Sequence, residues 1–202
     1  MLKQKQNKIT LGITGCLGSG KSTVAGIFKS WGAKIVDADK IAHSCMRKGS
    51  PAYRKIVAFF GKGILNRSKE INRAKLGDLV FSKAISLKKL EGIVHPQVIS
   101  KIRTKIKKIK KGVVILDAPL LLEAGLRSVV DKIIVVKLKR KMQIKRLSKK
   151  GNYSQAKIKR IIESQIPLRE KMRVADFIID NNGKLSETKK QVLDIRRKVW
   201  KS

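Results

Sequence analysis

The residues best suited to chemistry lie near the start of the chain, where Gly15-Cys16-Leu17-Gly18-Ser19-Gly20-Lys21-Ser22 is followed by Thr23. The spacing Gly-x-x-x-x-Gly-Lys-Ser is the Walker A pattern. Glycines let such a loop turn its backbone N–H groups inward around phosphate oxygens, and the N-terminus of a following helix adds a positive field. In that arrangement Lys21 neutralises the β- and γ-phosphates of a nucleoside triphosphate, and the Ser22 hydroxyl suits Mg²⁺. A plain flexible Gly/Ser loop is the competing explanation. It loses because a strand pattern precedes the loop and an amphipathic helix pattern follows it.

Further candidates carry carboxylates and cations. Asp37 and Asp39 flank the end of the second apolar run, where open parallel sheets place their ligands. Two residues apart in a strand, they would face one way, one accepting the proton of an attacking hydroxyl and the other holding waters of Mg²⁺. Asp39 suits a helix N-cap equally well; the nearby phosphate loop favours catalysis. Asp117 ends another apolar run, as a Walker B carboxylate does, and Glu123 follows it with structural and functional readings in balance. Arg140, Arg146, Lys149 and Lys150 can close over a triphosphate and exclude water. Most of that stretch is read as a solvated basic helix, with Arg146 the first choice for function. His95 before Pro96 reads from spacing as a turn residue. Cys16, beside Lys21 and a helix start, is expected to have a lowered thiol pKa.

The elements that must position these residues follow from hydrophobic periodicity. Residues 9–14 predict a buried strand, and Val24, Ile27, Phe28 and Trp31 mark one face of the next helix, stopped at Gly32. Residues 33–36, 113–116, 133–136 and 177–179 predict four more strands. Helical patterns fill 40–111, 140–173 (with a turn at Gly151-Asn152) and 186–200. In the first of these, His95-Pro96 is expected to interrupt the helix; beyond it Val98, Ile99, Ile102, Ile106 and Ile109 form a stripe. The expectation is an α/β fold: a five-stranded parallel sheet between helices, with a helical insertion after the second strand.

Composition limits the function classes. The 202 residues suit one domain with an inserted subdomain. No apolar run approaches the roughly 20 residues that span a bilayer. Met1 to Lys8 leads into a strand pattern without a signal segment, and two cysteines make no disulfide framework. A cytoplasmic protein, with no membrane partner, is therefore expected. There are 49 Lys and Arg against 14 Asp and Glu, a formal net charge of +35. Such a balance invites a nucleic-acid reading. The cations are spread along the chain, however, and only 4% of residues are aromatic, so base-stacking platforms are scarce.

In order and separation, the motifs resemble the dephospho-CoA kinase family over nearly the whole chain. The resemblance runs through Ile13-Thr14-Gly15, Gly32-Ala33, Asp37-Ala38-Asp39, Phe60-Gly61, Ile64-Leu65, Ile71-Asn72-Arg73, Leu76, Val80-Phe81 and His95-Pro96. It continues through Asp117-Ala118-Pro119-Leu120-Leu121-Leu122-Glu123, Gln143, Arg146, Gln165, Ala175-Asp176 and Asn181-Asn182-Gly183. It implies the P-loop NTPase fold and transfer of the γ-phosphate of ATP to the ribose 3′-hydroxyl of dephospho-CoA. Asp39 is then the base, acting with Lys21 and Arg146. Residues 15–23 with Arg146 and Lys150 hold ATP, while Ser22 and Asp117 hold Mg²⁺. Asp37, Asp39, His95, Asp117, Leu120 and Leu121 meet the acceptor. Residues 41–111 become the acceptor-binding insertion and 139–170 the lid, in a monomer or weak homo-oligomer that needs no nucleic acid. Two departures stand out: Cys16 where the family usually has glycine, and Lys150-Gly151 where many members have Arg-Asp. Another small P-loop kinase is the nearest alternative, and a nucleic-acid-binding ATPase a distant one.

Overall fold

The computed structural model describes residues 8–149 and 154–199. Its contacts divide the chain into two compact units, Met1–Asp37 with Lys105–Ser202, and Ala38–Thr104.

The first unit holds the sheet. Its strands are β1 (Ile9–Gly15), β2 (Lys34–Asp37), β3 (Val113–Asp117), β4 (Lys132–Lys137) and β5 (Phe177–Asp180), in the order β2-β3-β1-β4-β5. Every pairing is parallel, with Ile13 beside Asp117, Asp37 beside Asp117, and Ile13 beside Ile134. Such a sheet is covered on both faces, which explains why β3 and β4 read as unbroken apolar runs. Leu11, Ile13, Ile115, Ile134, Val136 and Ile179 form one face of the core. They pack with Val24 and Phe28 of α1 (Lys21–Ser30) and with residues of the last helix, Leu185–Val199. The chain visits both sides of β1, so β1 and the loop after it lie where the strand order reverses, the usual ligand crevice of such sheets.

The second unit is helical: α2 (Ala38–Cys45), α3 (Pro51–Phe60), α4 (Arg73–Ser82) and most of α5 (Ala84–Lys108). Its starts are encoded locally. Ser50 accepts from Tyr53 N with Pro51 following, and Asn72 accepts from Ala74 N and Lys75 N. One expectation fails here, because α5 runs straight through His95-Pro96. Proline removes one i→i−4 bond, whereas the stripe of Val94, Val98, Ile102 and Ile106 is buried along the same helix. Burial at roughly 1.5–3 kcal/mol per large aliphatic side chain outweighs that loss. Ile99 and Ile109 are only half-buried. The final residues of α5 belong to the sheet unit, where Ile106 O accepts from Lys8 Nζ at 3.3 Å. The compact helical unit itself spans Ala38–Thr104.

The basic stretch after β4 forms three helices, α6 (Arg140–Lys149), α7 (Gln155–Glu163) and α8 (Leu168–Arg173); α9 is the last helix, Leu185–Val199. The turn expected at Gly151-Asn152 lies outside the described residues.

Candidate active site

The loop between β1 and α1 has the backbone that its glycines predict. Gly20 caps α1 at φ 93°, and Gly15 leaves β1 at φ 146°, regions that L side chains rarely adopt. Space forbids side chains as well: a Cβ on Gly15 would stand 2.4 Å from Val136 O, and one on Gly20 2.1 Å from Asn181 Nδ2. Within the turn, Ser19 N donates to Cys16 O at 3.1 Å. Lys21 opens α1, almost fully buried, and its Nζ donates to Cys16 O at 3.0 Å and Gly15 O at 3.3 Å. The ammonium thus lies inside the bend of the loop. Ser22 and Thr23 follow on the exposed first turn of the helix.

Three residues far away in sequence brace this loop. Gln143 of α6, buried, donates to Leu17 O at 2.8 Å. Asn181, just past β5, donates to Ser19 O at 2.6 Å and accepts from Thr188 Oγ1 at 2.9 Å. Arg146 Nη2 donates to Asn181 O at 3.1 Å, so the guanidinium stands on the residue that supports Ser19. Gln143 and Asn181 carried no assigned role in the sequence; only their places in the motif series marked them. Lys150 lies outside the described residues.

A second set of contacts joins the end of β1 to the turn after β3. Thr14 Oγ1 donates to Pro119 O at 3.0 Å, and the fully buried Lys171 of α8 donates to the same oxygen at 3.1 Å. Lys171 also forms an ion pair with Glu123 at 2.6 Å, whose Oε1 accepts from Ile166 N at 3.0 Å. In sequence, Lys171 was one cation in a basic tract and gave no signal. Glu123, left in balance between two readings, is now tied to a definite partner.

The environment of Cys16 corrects another expectation. Burial pushes its thiol pKa above the ordinary value, and the nearby Lys171 and Lys21 cations only partly offset this. Desolvation of the thiolate outweighs the positive field.

Asp37 and Asp117 end neighbouring strands in register, which puts two half-buried carboxylates side by side at the C-terminal edge of the sheet. Asp39 is not part of that strand; it sits in the first turn of α2, so the strand alternation argued for the Asp37/Asp39 pair does not operate. His95 is in the interior of α5. Leu120 is partly exposed, but Leu121 is fully buried, with Cδ1 in the space that a Cβ on Gly12 would occupy. Leu121 thus packs into the core beneath β1.

A family model described as dephospho-CoA kinase matches residues 9–187, a span that includes the loop, both strand-end carboxylates, Arg146 and Asn181. The chain belongs to the dephospho-CoA kinase family. A dephospho-CoA kinase of Carboxydothermus hydrogenoformans is 43% identical over 194 residues, covering 95% of this chain and 94% of that one. A solved dephospho-CoA kinase from Campylobacter jejuni superposes with a TM-score of 0.68 at 30% identity, covering 95% and 97% of the two chains. Shikimate kinase from Bacteroides thetaiotaomicron, at 11% identity and a TM-score of 0.51 over 95% and 98%, shares the fold alone. As a member of the dephospho-CoA kinase family the chain is an enzyme, a kinase of the P-loop fold. The predicted five-stranded parallel sheet between helices is the one observed.

Proposed function

We propose that this chain transfers the γ-phosphoryl group of ATP to the ribose 3′-hydroxyl of dephospho-CoA, giving ADP and coenzyme A, the last step of coenzyme A synthesis. The observation that carries this reading is the pre-formed phosphate loop, with Lys21 Nζ inside it, in a chain of this family.

Phosphoryl transfer is catalysed chiefly by positioning and charge stabilisation. Residues 15–23 cradle the phosphates of ATP; Lys21 and Arg146 stabilise charge on the transferring group. Asp39 takes the proton of the attacking hydroxyl as the O–P bond forms and ADP leaves. Asp37, Asp39, His95, Asp117, Leu120 and Leu121 are read as acceptor contacts, in keeping with the paired strand ends of Asp37 and Asp117. The lid is assigned to 139–170, including Arg146 and Lys150, and the acceptor subdomain to the helical unit.

The donor set near the loop suits Mg²⁺: Ser22 and Asp117 offer hard oxygen ligands, and Asp37 places a second carboxylate beside Asp117. Bound there, the ion would neutralise phosphate charge. No helix among the described residues is long and apolar enough to cross a membrane. We read the protein as cytoplasmic, and as a monomer or weak homo-oligomer without an obligatory nucleic-acid partner.

A coupled ADP-release assay with dephospho-CoA tests the reading, run on the parent and on Asp39→Asn. Turnover should fall about 10²–10⁴-fold in the variant, the usual contribution of a general base. Normal turnover by the variant would remove Asp39 from its role. ATP hydrolysis stimulated by RNA or DNA, without turnover of dephospho-CoA, would replace the whole reading.

A further inference from the structure

We propose that Lys171 is a positioning residue for phosphoryl transfer, which with Glu123 and Thr14 locks the turn after Asp117 against the start of the phosphate loop. The inference rests on the reaction proposed above and assigns a role to side chains outside it.

The geometry is a four-segment clamp around one carbonyl. Pro119 O receives Thr14 Oγ1 from the end of β1 at 3.0 Å and Lys171 Nζ from α8 at 3.1 Å. Glu123 receives Lys171 Nζ at 2.6 Å and Ile166 N at 3.0 Å. Ala118 N adds a bond to Ile13 O at 3.0 Å. Ala118 directly follows Asp117 and Thr14 directly precedes Gly15, so two of these bonds adjoin the strand-end carboxylate and the loop. A shift of this turn therefore moves the strand-end carboxylate relative to the phosphate loop.

Stability alone does not explain a charged pair at this place. Lys171 is fully buried and the Glu123 side chain is only 10% exposed. Desolvation of such a pair commonly offsets its Coulomb attraction, and an apolar or neutral replacement of both partners is often as stable. Among the described residues Glu123 Oε2 is also buried with no hydrogen-bond partner, which adds to the burden of keeping the pair. What the ammonium supplies beyond stability is a fixed donor to Pro119 O and a positive charge close to the loop. Its proximity shows in its pull on the Cys16 thiol.

Two variants test this in the coupled assay, with ATP affinity read by calorimetry and folding by thermal melting. Lys171→Met/Glu123→Gln removes both charges while retaining an acceptor for Ile166 N. It should melt within about 5 °C of the parent, yet lose about tenfold or more in kcat while ATP affinity changes less than about threefold, as expected when transition-state geometry and not ground-state binding is disturbed. Thr14→Val keeps the side-chain shape and removes only the second donor to Pro119 O. It should lose roughly three- to tenfold in kcat with the same split. If either folded variant retains kcat within about twofold, or loses ATP affinity in step with kcat, the positioning role is refuted. Should the double variant fail to fold, Thr14→Val decides alone. An active parent with active variants sinks the role of the clamp only. A parent that never turns over dephospho-CoA sinks the proposed reaction and this inference together.

Discussion

Asn181→Asp is the sharpest test of how the phosphate loop is held. Asn181 is 7% exposed; its amide nitrogen donates to Ser19 O at 2.6 Å, and its amide oxygen accepts from Thr188 at 2.9 Å. The substitution keeps shape and the Thr188 contact, but sets an acceptor oxygen against Ser19 O. An unmet buried acceptor costs about 1–3 kcal/mol. The buried carboxylate adds more, which Arg146 beside it partly offsets. A loss of roughly 2–4 kcal/mol at pH 8 follows. If half of that falls on the loop, ATP binds about tenfold more weakly. The sign with pH is distinctive. Burial against an acceptor raises the folded-state pKa of the new Asp, so the penalty is full above that value. It shrinks as pH falls toward the unfolded value of about 3.9, because the protonated acid can again donate to Ser19 O. Urea unfolding of parent and variant at pH 8 and pH 5, with calorimetric ATP titration, measures both effects. A variant within about 0.5 kcal/mol of the parent at pH 8, a spread typical of neutral surface changes, would refute the reasoning. So would a deficit that does not shrink at pH 5.

Other substitutions probe neighbouring parts. Gly20→Ala places a Cβ 2.1 Å from Asn181 Nδ2 at φ 93°; it should abolish detectable ATP binding and destabilise by at least the ~1–2 kcal/mol of left-handed strain, and calorimetry showing normal affinity would contradict the steric argument. Alkylation of Cys16 should inactivate with ATP protecting, and the rate should titrate at higher pH than the same thiols in unfolded protein, because burial raises this pKa; a midpoint below the unfolded one would reverse that account. For Asp176, burial works against ionisation, but the Ile133 N–H and the Lys132 ammonium more than offset it and hold the pKa below its ordinary value. Asp176→Asn should therefore lose about 0.5–1.5 kcal/mol near neutral pH. That contribution is present above the unfolded pKa of about 3.9 and is lost as pH falls through the folded one, so parent and variant should converge in acid unfolding curves.

The sheet was legible because each strand is a short apolar run, and a parallel strand buried on both faces needs such a run. Only the ends shifted: β2, β3 and β5 end one residue later, at Asp37, Asp117 and Asp180, since backbone pairing continues past the last apolar side chain. The phosphate loop was legible for a different reason, its backbone being dictated by its own glycines. Pro96 misled because a local rule was set against burial on both sides of it along α5. Asp39 misled in geometry because strand periodicity was carried past the point where β2 gives way to α2. The braces could not be read at all. Asn181 meets the loop across 162 residues and Gln143 across 126, and no periodicity reports such pairs. Lys171 was hidden by composition: among 49 Lys and Arg, nothing in the sequence marks Lys171 as a cation that the fold buries.

These long-range ties change what the motif itself means. Gly20 is glycine both because its backbone is left-handed and because Asn181 occupies the space beside it. Gly12, outside the motif, is held to glycine by Leu121 and Val130, and Gly18 faces the side chain of Leu147 on α6. Each of these three glycines is thus matched to a partner from a later element, and α6 reaches the loop three times, through Gln143, Arg146 by way of Asn181, and Leu147. Residues that share a partner are energetically coupled. Changes in the loop and in its supports are therefore expected to be strongly non-additive: once Asn181 is lost, adding a Cβ at Gly20 removes far less than it does alone. The shape of the loop is a property of the folded sheet unit as a whole, and the motif records only the half of that arrangement that is local in sequence.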